Sequence, residues 1–189
     1  MATNNLVEIE PLCGDLAPAD ADNEWFVIHI KPRWEKKFAS YCFLYKVNYY
    51  LPLQDSVRVY HNRKVVFTKP IFPGYIFVKC SINDKSLLFR SGSIVRFINV
   101  PNERELLTDL NNIYESLSRK LPIEHHAYVK EGYKVRITKG PFIGVEGIVI
   151  DAEDPSEVIV GIHLIQQAIC LQVDPSQIEL VSRTAQQFD

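Results

Sequence analysis

The sequence has no apolar run that approaches the roughly 18 residues needed to span a membrane. It also lacks a basic segment followed by an apolar one at its start, so we expect no secretory signal and no membrane partner. The four cysteines lie far apart and form no CxxC pair. Zinc ligands usually come in close pairs, so we predict reduced, packed thiols, no metal site and a cytoplasmic location.

Catalytic and phosphate-binding motifs are missing as well. There is no GxSxG, HExxH, GxxxxGK[ST] or GxGxxG pattern. The histidines do not replace them, because His29 falls within a strand pattern and His125 and His126 are neighbours in a polar stretch. We therefore predict a protein that is not an enzyme and has no cofactor, with an enzyme whose site carries no motif as the alternative.

Positive charge is absent from the first 23 residues, which carry a net charge of −5. Residues 24–123 carry +8 and residues 124–189 carry −5. Such separation favours different partners for different parts of the chain. The basic middle is suited to a polyanion, with a merely solvated charged surface as the alternative.

The middle of the chain mixes strand and helix patterns. Trp25–Ile30 predicts a buried strand, and Lys31-Pro32-Arg33 predicts the start of a helix. We expect one face of this helix to pack in the core, and that face consists of Trp34, Phe38, Tyr41, Cys42 and Tyr45. A hairpin with a basic tip, two further strands, a short helix and a long leucine-rich helix ended by Pro122 follow.

From Tyr133 onward the apolar period changes to two, which predicts five short strands in a small closed barrel. We expect an α+β N-terminal domain, an antiparallel sheet with flanking helices, followed by a small all-β SH3-like barrel. The predicted segments are a flexible acidic tail (1–23), the α+β domain (24–122), a polar linker (123–131), the barrel (132–183) and a C-terminal tail (184–189).

The strongest local pattern surrounds Pro73-Gly74, where proline and glycine together favour a tight entry into a strand. Tyr75 and Phe77 then share one face of that strand, and Phe72 can fold over the same side. The pattern predicts either an aromatic patch on the sheet or part of the core.

The chain resembles the NusG family of transcription factors. The similar N-terminal segments are Trp25–Lys37, Leu51–Leu53, Ile71–Val78 and Ser93–Ile98, and Gly140–Gly147 resembles the KOW motif of the family's barrel. They occur in the family's order across about residues 24–182.

This resemblance implies that the first domain docks an apolar patch on the clamp-helix coiled coil of the largest RNA polymerase subunit. The matching residues are Phe72, Tyr75 and Phe77, which we therefore expect to form an accessible cluster of rings. Lys85 and Arg90 belong to the segment that matches the region facing the opposite side of the polymerase cleft. Such a factor suppresses pausing and termination by contact.

The resemblance also implies roles for the cations and the barrel. Non-template DNA is the expected contact of Lys31, Arg33, Lys36, Lys37, Arg58, Arg63 and Lys64. Ribosomal protein S10 or the termination factor Rho is the expected contact of Phe142, Ile143, Val145, Leu164 and Ile165. Val145 and Ile165 stand where some relatives carry aromatic residues, which favours the ribosomal protein.

The Lys31–Lys37 start and the Leu164–Ile169 run favour a specialised RfaH-like or UpxY-like paralogue, acting on operons for surface polysaccharides. A housekeeping NusG factor is one alternative. A ribosome-associated, RNA-binding KOW protein is another, although it would predict a basic barrel. We expect a monomer.

Overall fold

The structure, a computed structural model, describes residues 9–60, 63–119, 123–128, 132–151 and 153–184. The chain divides into two compact units, the first ending at Glu103 and the second beginning at Arg104. The predicted fold class is confirmed, because a five-stranded sheet with flanking helices precedes a six-stranded, all-β sheet consistent with a KOW fold.

The first unit contains a five-stranded antiparallel sheet in the order β1-β3-β6-β2-β7 and a separate hairpin, β4-β5. Its elements are β1 (Leu12–Cys13), β2 (Glu24–Ile30), α1 (Glu35–Leu44), β3 (Asn48–Tyr50), β4 (Leu53–Tyr60), β5 (Arg63–Pro70), β6 (Tyr75–Cys80), α2 (Ile82–Phe89) and β7 (Ile94–Asn99).

One face of this sheet forms a core with the helices. Alternate residues of β2, such as Phe26 and Ile28, lie on that face and pack in one buried cluster with Phe38 and Cys42 of α1. The other residues of β2 and β6 point to the second face, because side chains alternate along a strand. The sheet therefore has two distinct apolar faces.

Helix α1 begins later than predicted. Arg33 has a left-handed backbone with φ of 67°, so the helix starts at Glu35 rather than at Lys31. The predicted core stripe is wrong at both ends, since Trp34 and Tyr45 are exposed. At the start of the helix, the buried residue is Glu35 instead of Trp34.

The prediction of a flexible tail is wrong for residues 9–23, which we call the N-terminal strap; residues 1–8 lie outside the described part. Leu12 and Cys13 pair with Tyr50 and Tyr49 and add an edge strand to the sheet. The Leu51 N–H donates to the carbonyl of Pro11 at 2.7 Å. Sequence composition misses this because backbone pairing needs no large apolar side chain.

The strap then crosses to the second face of the sheet. Lys79, almost fully buried, forms an ion pair with Asp15 at 2.7 Å. Trp25 is buried beside Lys79, its strand partner, and its Nε1–H donates to the Ala17 carbonyl at 3.0 Å. The strap thus supplies the partners of a buried cation and a buried indole N–H.

The second unit contains α3 (Glu103–Ser118), whose first residue closes the first unit, and a six-stranded sheet in the order β13-β9-β10-β11-β12-β8. Its strands are β8 (Glu124–Ala127), β9 (Gly132–Ile137), β10 (Glu146–Val149), β11 (Glu157–Ile162), β12 (Gln167–Gln172) and β13 (Ile178–Thr184).

The structure corrects two predicted boundaries. The leucine-rich helix, assigned to the first domain from its sequence, is α3 and belongs from Arg104 onward to the unit that contains the barrel. Part of the predicted linker is β8, which pairs with β12 and adds a sixth strand. The remaining linker residues, 129–131, and the end of the C-terminal tail, 185–189, lie outside the described residues.

A glycine substitution tests whether the strap is part of the fold. Gly14 has φ of 87°, and a Cβ there would lie 2.5 Å from the Asn48 side chain. Gly14→Ala combines left-handed strain with this overlap, so we expect the free energy of unfolding to fall by about 2–3 kcal/mol. Urea denaturation measures the change.

Gly92→Ala is the matched control, because Gly92 also has positive φ but open space around it. It should cost only about 1 kcal/mol. No measurable loss for Gly14→Ala, beside the expected loss for Gly92→Ala, would mean that the strap does not hold the edge of the sheet.

Candidate functional site

The Pro73-Gly74 corner lies where β2 ends, α1 begins and β6 starts. The Ile30 N–H donates to the Gly74 carbonyl at 2.8 Å, which extends the β2–β6 pairing to the corner. The Tyr75 N–H donates to the Phe72 carbonyl at 3.2 Å and closes the turn. Gly74 has φ of 84°, a conformation that glycine adopts without strain.

A buried carboxylate holds this corner. Glu35, in the first turn of α1, is 5% exposed, and its Oε1 accepts a hydrogen bond from the Gly74 N–H at 2.9 Å. The bond joins the start of α1 to the entry of β6 across 39 residues of sequence. Glu35 therefore fixes the position at which Tyr75 leaves the turn.

The expected accessible ring cluster is wrong for two of its three members. Phe72 is 1% exposed and Phe77 is fully buried, whereas Tyr75 is half-buried. Tyr75 stacks on His29 of the neighbouring strand, with ring centroids 5.2 Å apart and an interplanar angle of 21°. Of the predicted polymerase-binding rings, only Tyr75 retains accessible surface.

The order of the strands explains this difference. β6 is a central strand, so Phe77 has Val27 on one side and Tyr50 on the other as cross-strand partners. Tyr75 pairs with His29 but lies beyond the end of β3, whose pairing with β6 stops at Phe77. The alternation of side chains along β6 correctly predicts that Tyr75 and Phe77 share a face. It does not predict that β3 lies beside Phe77 but not beside Tyr75.

The predicted DNA-contacting cations fall into two groups. Near the start of α1, Lys36 Nζ donates to Thr68 Oγ1 of β5 at 2.6 Å, and partial burial lowers the pKa of Lys36. Lys37 Nζ lies 4.7 Å from the centroid of the exposed Trp34 ring. Lys31 and Arg33 are exposed beside them, although Lys31 Nζ donates to the Gly92 carbonyl at 2.7 Å.

The second group lies at the tip of the β4-β5 hairpin. Arg63 and Lys64 open β5 and are exposed. Arg58 lies opposite Val65 in the strand register, and its side chain lies outside the described part. Lys64 shares a face of β5 with Thr68 and lies four residues from it, which corresponds to about 14 Å along the strand.

Lys85 and Arg90 occupy different environments. Lys85 of α2 places its Nζ 3.7 Å from the centroid of the Phe26 ring, a cation–π contact with a core residue. Arg90 is the C-cap of α2 and is exposed. Arg90 is therefore the freer of the two for an external partner.

The five predicted barrel contacts are also divided. Ile143, at the tip of the loop between β9 and β10, is 53% exposed. Leu164 is half-buried in a 3₁₀ turn after β11, while Phe142, Val145 and Ile165 are buried. The predicted contact requires those three side chains to be accessible, and in this conformation they are not.

Sequence analysis missed Glu35 and His29 as parts of the corner. Their partners are 39 and 46 residues away, at Gly74 and Tyr75, so no local spacing reveals them. The available signal was Glu35 itself, a glutamate among the aromatic residues at the start of the helix.

Among the described residues, no cluster of three or more His, Cys, Asp or Glu side chains is arranged to hold a metal. No helix in the described ranges is long and apolar enough to cross a membrane.

Substitution of Glu35 tests how the corner is held. Glu35→Ala leaves a buried Gly74 N–H without its acceptor, so we expect a loss of about 1–3 kcal/mol in the free energy of unfolding. Glu35→Gln keeps an acceptor oxygen and should recover most of it. If alanine and glutamine behave alike in urea denaturation, the hydrogen bond is not what holds the corner.

Known proteins match the chain over most of both units. The family model described as transcription termination factor nusG matches residues 23–134. The transcription termination/antitermination protein NusG of Pasteurella multocida is 26% identical over 139 residues, covering 68% of this chain and 74% of that protein. The protein of the same description from Thermus thermophilus is 22% identical over 178 residues, covering 82% and 97%.

A solved structure of an MjSpt4:Spt5 complex, in conformation B, covers 86% of this chain and 99% of its own at 17% identity. Its TM-score of 0.28 is too low to support a conclusion about the fold. The nusG family model spans more than half of the chain, from just before β2 into β9. The chain therefore belongs to the NusG family.

Proposed function

We propose that the protein is a cytoplasmic, monomeric elongation and antitermination factor that binds RNA polymerase and suppresses pausing and termination without catalysis. Family membership carries this proposal, and the names of the two relatives support it. The polymerase-binding surface would be the Pro73-Gly74 corner, and the partner would be the clamp helices of the largest subunit.

The docking surface differs from a cluster of three outward rings. Tyr75 and His29 present a stacked aromatic pair, while Phe72 and Phe77 are buried. A preorganised tyrosine gives a large contact area at a small cost in rotamer entropy, which suits a hot spot. Glu35 holds the turn from which the pair projects.

Binding at the corner alone would not keep the polymerase closed. A second contact with the opposite side of the cleft is needed, and the Lys85–Arg90 segment is our candidate for it. Arg90 is exposed, whereas Lys85 lies over a core ring. A factor that contacts both sides binds the closed, elongating conformation better and so increases its population.

The two groups of cations support contact with non-template DNA. Lys64 and the contact of Lys36 with Thr68 are about 14 Å apart along β5, which a short stretch of one strand can span. A single strand that runs from the start of α1 to the hairpin tip would meet both groups. Such contacts are made to phosphates, so they would depend strongly on salt.

The barrel would link the polymerase to a second protein. Its acidic segment disfavours RNA, which argues against the alternative of a ribosome-associated RNA-binding protein. Ribosomal protein S10 is our preferred partner over Rho. The exposed Ile143 is the anchor available without rearrangement.

We further propose an operon-specific role, on operons for surface polysaccharides, over a housekeeping one. The Lys31–Lys37 start and the Leu164–Ile169 run support specialisation, because they look more like the specialised paralogues than the housekeeping protein. Genome-wide occupancy of the polymerase distinguishes the two. A housekeeping factor would be present on most genes, and a specialised factor on few.

Substitution of the exposed ring tests the docking surface. Tyr75→Ala should weaken binding of the full chain to purified bacterial RNA polymerase by about 2 kcal/mol, roughly thirtyfold in Kd. Phe72→Ala is unsuitable as the only test, because truncation of a buried phenylalanine costs about 3–5 kcal/mol of folding stability.

Tyr45→Ala is the matched control, since Tyr45 is an exposed tyrosine at the end of α1, away from the corner. It should leave the affinity unchanged. Equal affinity for Tyr75→Ala and the wild type would remove the corner from the binding surface.

The hairpin tip can be tested through salt dependence. Arg63→Ala with Lys64→Ala should weaken binding to single-stranded DNA and reduce the slope of log K against log[salt] by about 1.4, or about 0.7 per phosphate contact. Fluorescence anisotropy over a salt series measures both. A slope that does not change would mean that the tip does not touch phosphates.

A further inference from the structure

The exposed indole of Trp34 lies among the cations at the start of α1. Trp34 is 40% exposed, although the next residue, Glu35, is buried. Lys31, Arg33 and Lys37 lie within three residues of it along the chain and are exposed as well. Tryptophan is highly buried on average, because its large apolar ring is unfavourable in water. The ring is therefore an accessible apolar surface inside a basic patch.

The turn that carries Trp34 is fixed by hydrogen bonds on both sides. The Lys31 N–H donates to the Ser93 carbonyl at 2.9 Å, and Lys31 Nζ donates to the Gly92 carbonyl at 2.7 Å, so the turn is tied to the segment before β7. The Trp34 N–H donates to the Lys31 carbonyl at 3.1 Å, and the Trp34 carbonyl accepts from the Phe38 N–H at 2.8 Å. The backbone that presents the indole is preorganised.

Arg33 adds a strained backbone directly before the ring. Its φ of 67° lies in the left-handed region, which is unfavourable for residues other than glycine. Such conformations persist where the surrounding structure fixes them, and they cluster at ligand sites. A glycine would adopt this conformation without strain, so at this position the strain comes together with a cation beside Trp34.

Lys37 provides a second element of a nucleic-acid site. It lies three residues after Trp34, a spacing that makes the two side chains neighbours on a helix. Lys37 Nζ lies 4.7 Å from the centroid of the indole ring, a cation–π contact that orients the ring. Proteins that bind single strands combine aromatic rings, on which bases stack, with cations that follow the phosphates. Trp34 and Lys37 supply one of each.

The hairpin continues the same combination. Lys36 Nζ donates to Thr68 Oγ1 of β5 at 2.6 Å, and Val66 and Lys64 share a face of β5 with Thr68. Both Val66 and Lys64 are exposed. A strand that starts at Trp34 would therefore meet a cation, an apolar side chain and a second cation in succession.

We propose that Trp34 is a stacking platform for one unpaired base of single-stranded DNA, with Lys37 on the adjoining phosphate. This rests on the proposed contact with non-template DNA, and it adds a base contact to a set of phosphate contacts. Every base presents a π face, so the platform accepts all four bases. A paired base has no free face to offer, so the site selects a single strand over a duplex.

Intrinsic fluorescence and affinity test the platform together. The chain has two tryptophans, and Trp25 is buried, so oligothymidylate should quench the emission of Trp34 in the full-length protein. Trp34→Leu should bind labelled oligothymidylate about tenfold more weakly in fluorescence anisotropy, and Trp34→Phe should recover most of the affinity. Tyr45→Leu, which removes an exposed ring at the other end of α1, is the matched control and should bind as the wild type does.

A strand of abasic sites separates stacking from other roles of Trp34. It keeps the phosphates but has no bases, so the wild type and Trp34→Leu should bind it equally. On oligothymidylate, Trp34→Leu should keep the wild-type slope of log K against log[salt], whereas Lys37→Ala should reduce the slope by about 0.7. An equal loss on both strands, or a reduced slope for Trp34→Leu, would overturn the proposal.

Two further outcomes concern the source of the strand. A wild type that binds neither strand would overturn both the platform and the proposed contact with DNA, while binding to the polymerase is measured separately with Tyr75→Ala. Tighter binding of oligouridylate of the same length would overturn DNA as the source of the base.

Discussion

The hydrogen bond from the Gly74 N–H to the buried Glu35 carboxylate is the interaction on which the proposed docking surface depends. It joins the start of α1 to the entry of β6, and so sets where Tyr75 emerges from the turn. A buried carboxylate is tolerated there because it accepts a backbone hydrogen bond. Without it, the turn before the stacked pair of Tyr75 and His29 would keep its backbone pairing but lose its link to α1.

Much of the fold could be predicted from sequence, because apolar periodicity is local. The change from helical spacing to period two correctly predicted a change from α+β to all-β structure, although not the boundary of the two units, and the helix after Asn102 was correctly located. The strap and β8 were missed because both are held by backbone pairing, which polar segments such as Glu124–Ala127 can provide as well as apolar ones. Pairing partners far apart in sequence leave no periodic signal.

The candidate site was less predictable for a related reason. Alternation correctly placed Tyr75 and Phe77 on one face, but exposure depends on which strands lie on either side. Phe77 has neighbours on both sides, and Tyr75 on one. Helix α3 likewise forms hydrogen bonds with the barrel over 34 and 54 residues. Neither arrangement leaves a local signal in the sequence.

The central claim is that Tyr75 meets the clamp helices. The most direct measurement replaces Tyr75 with the photo-crosslinker p-benzoylphenylalanine, irradiates the full-length protein with RNA polymerase and maps the crosslinked peptide by mass spectrometry. Our account predicts a crosslink within the clamp-helix coiled coil of the largest subunit, absent when the probe is placed at Tyr45. Crosslinks confined to another part of the polymerase, or equal from both positions, would contradict it.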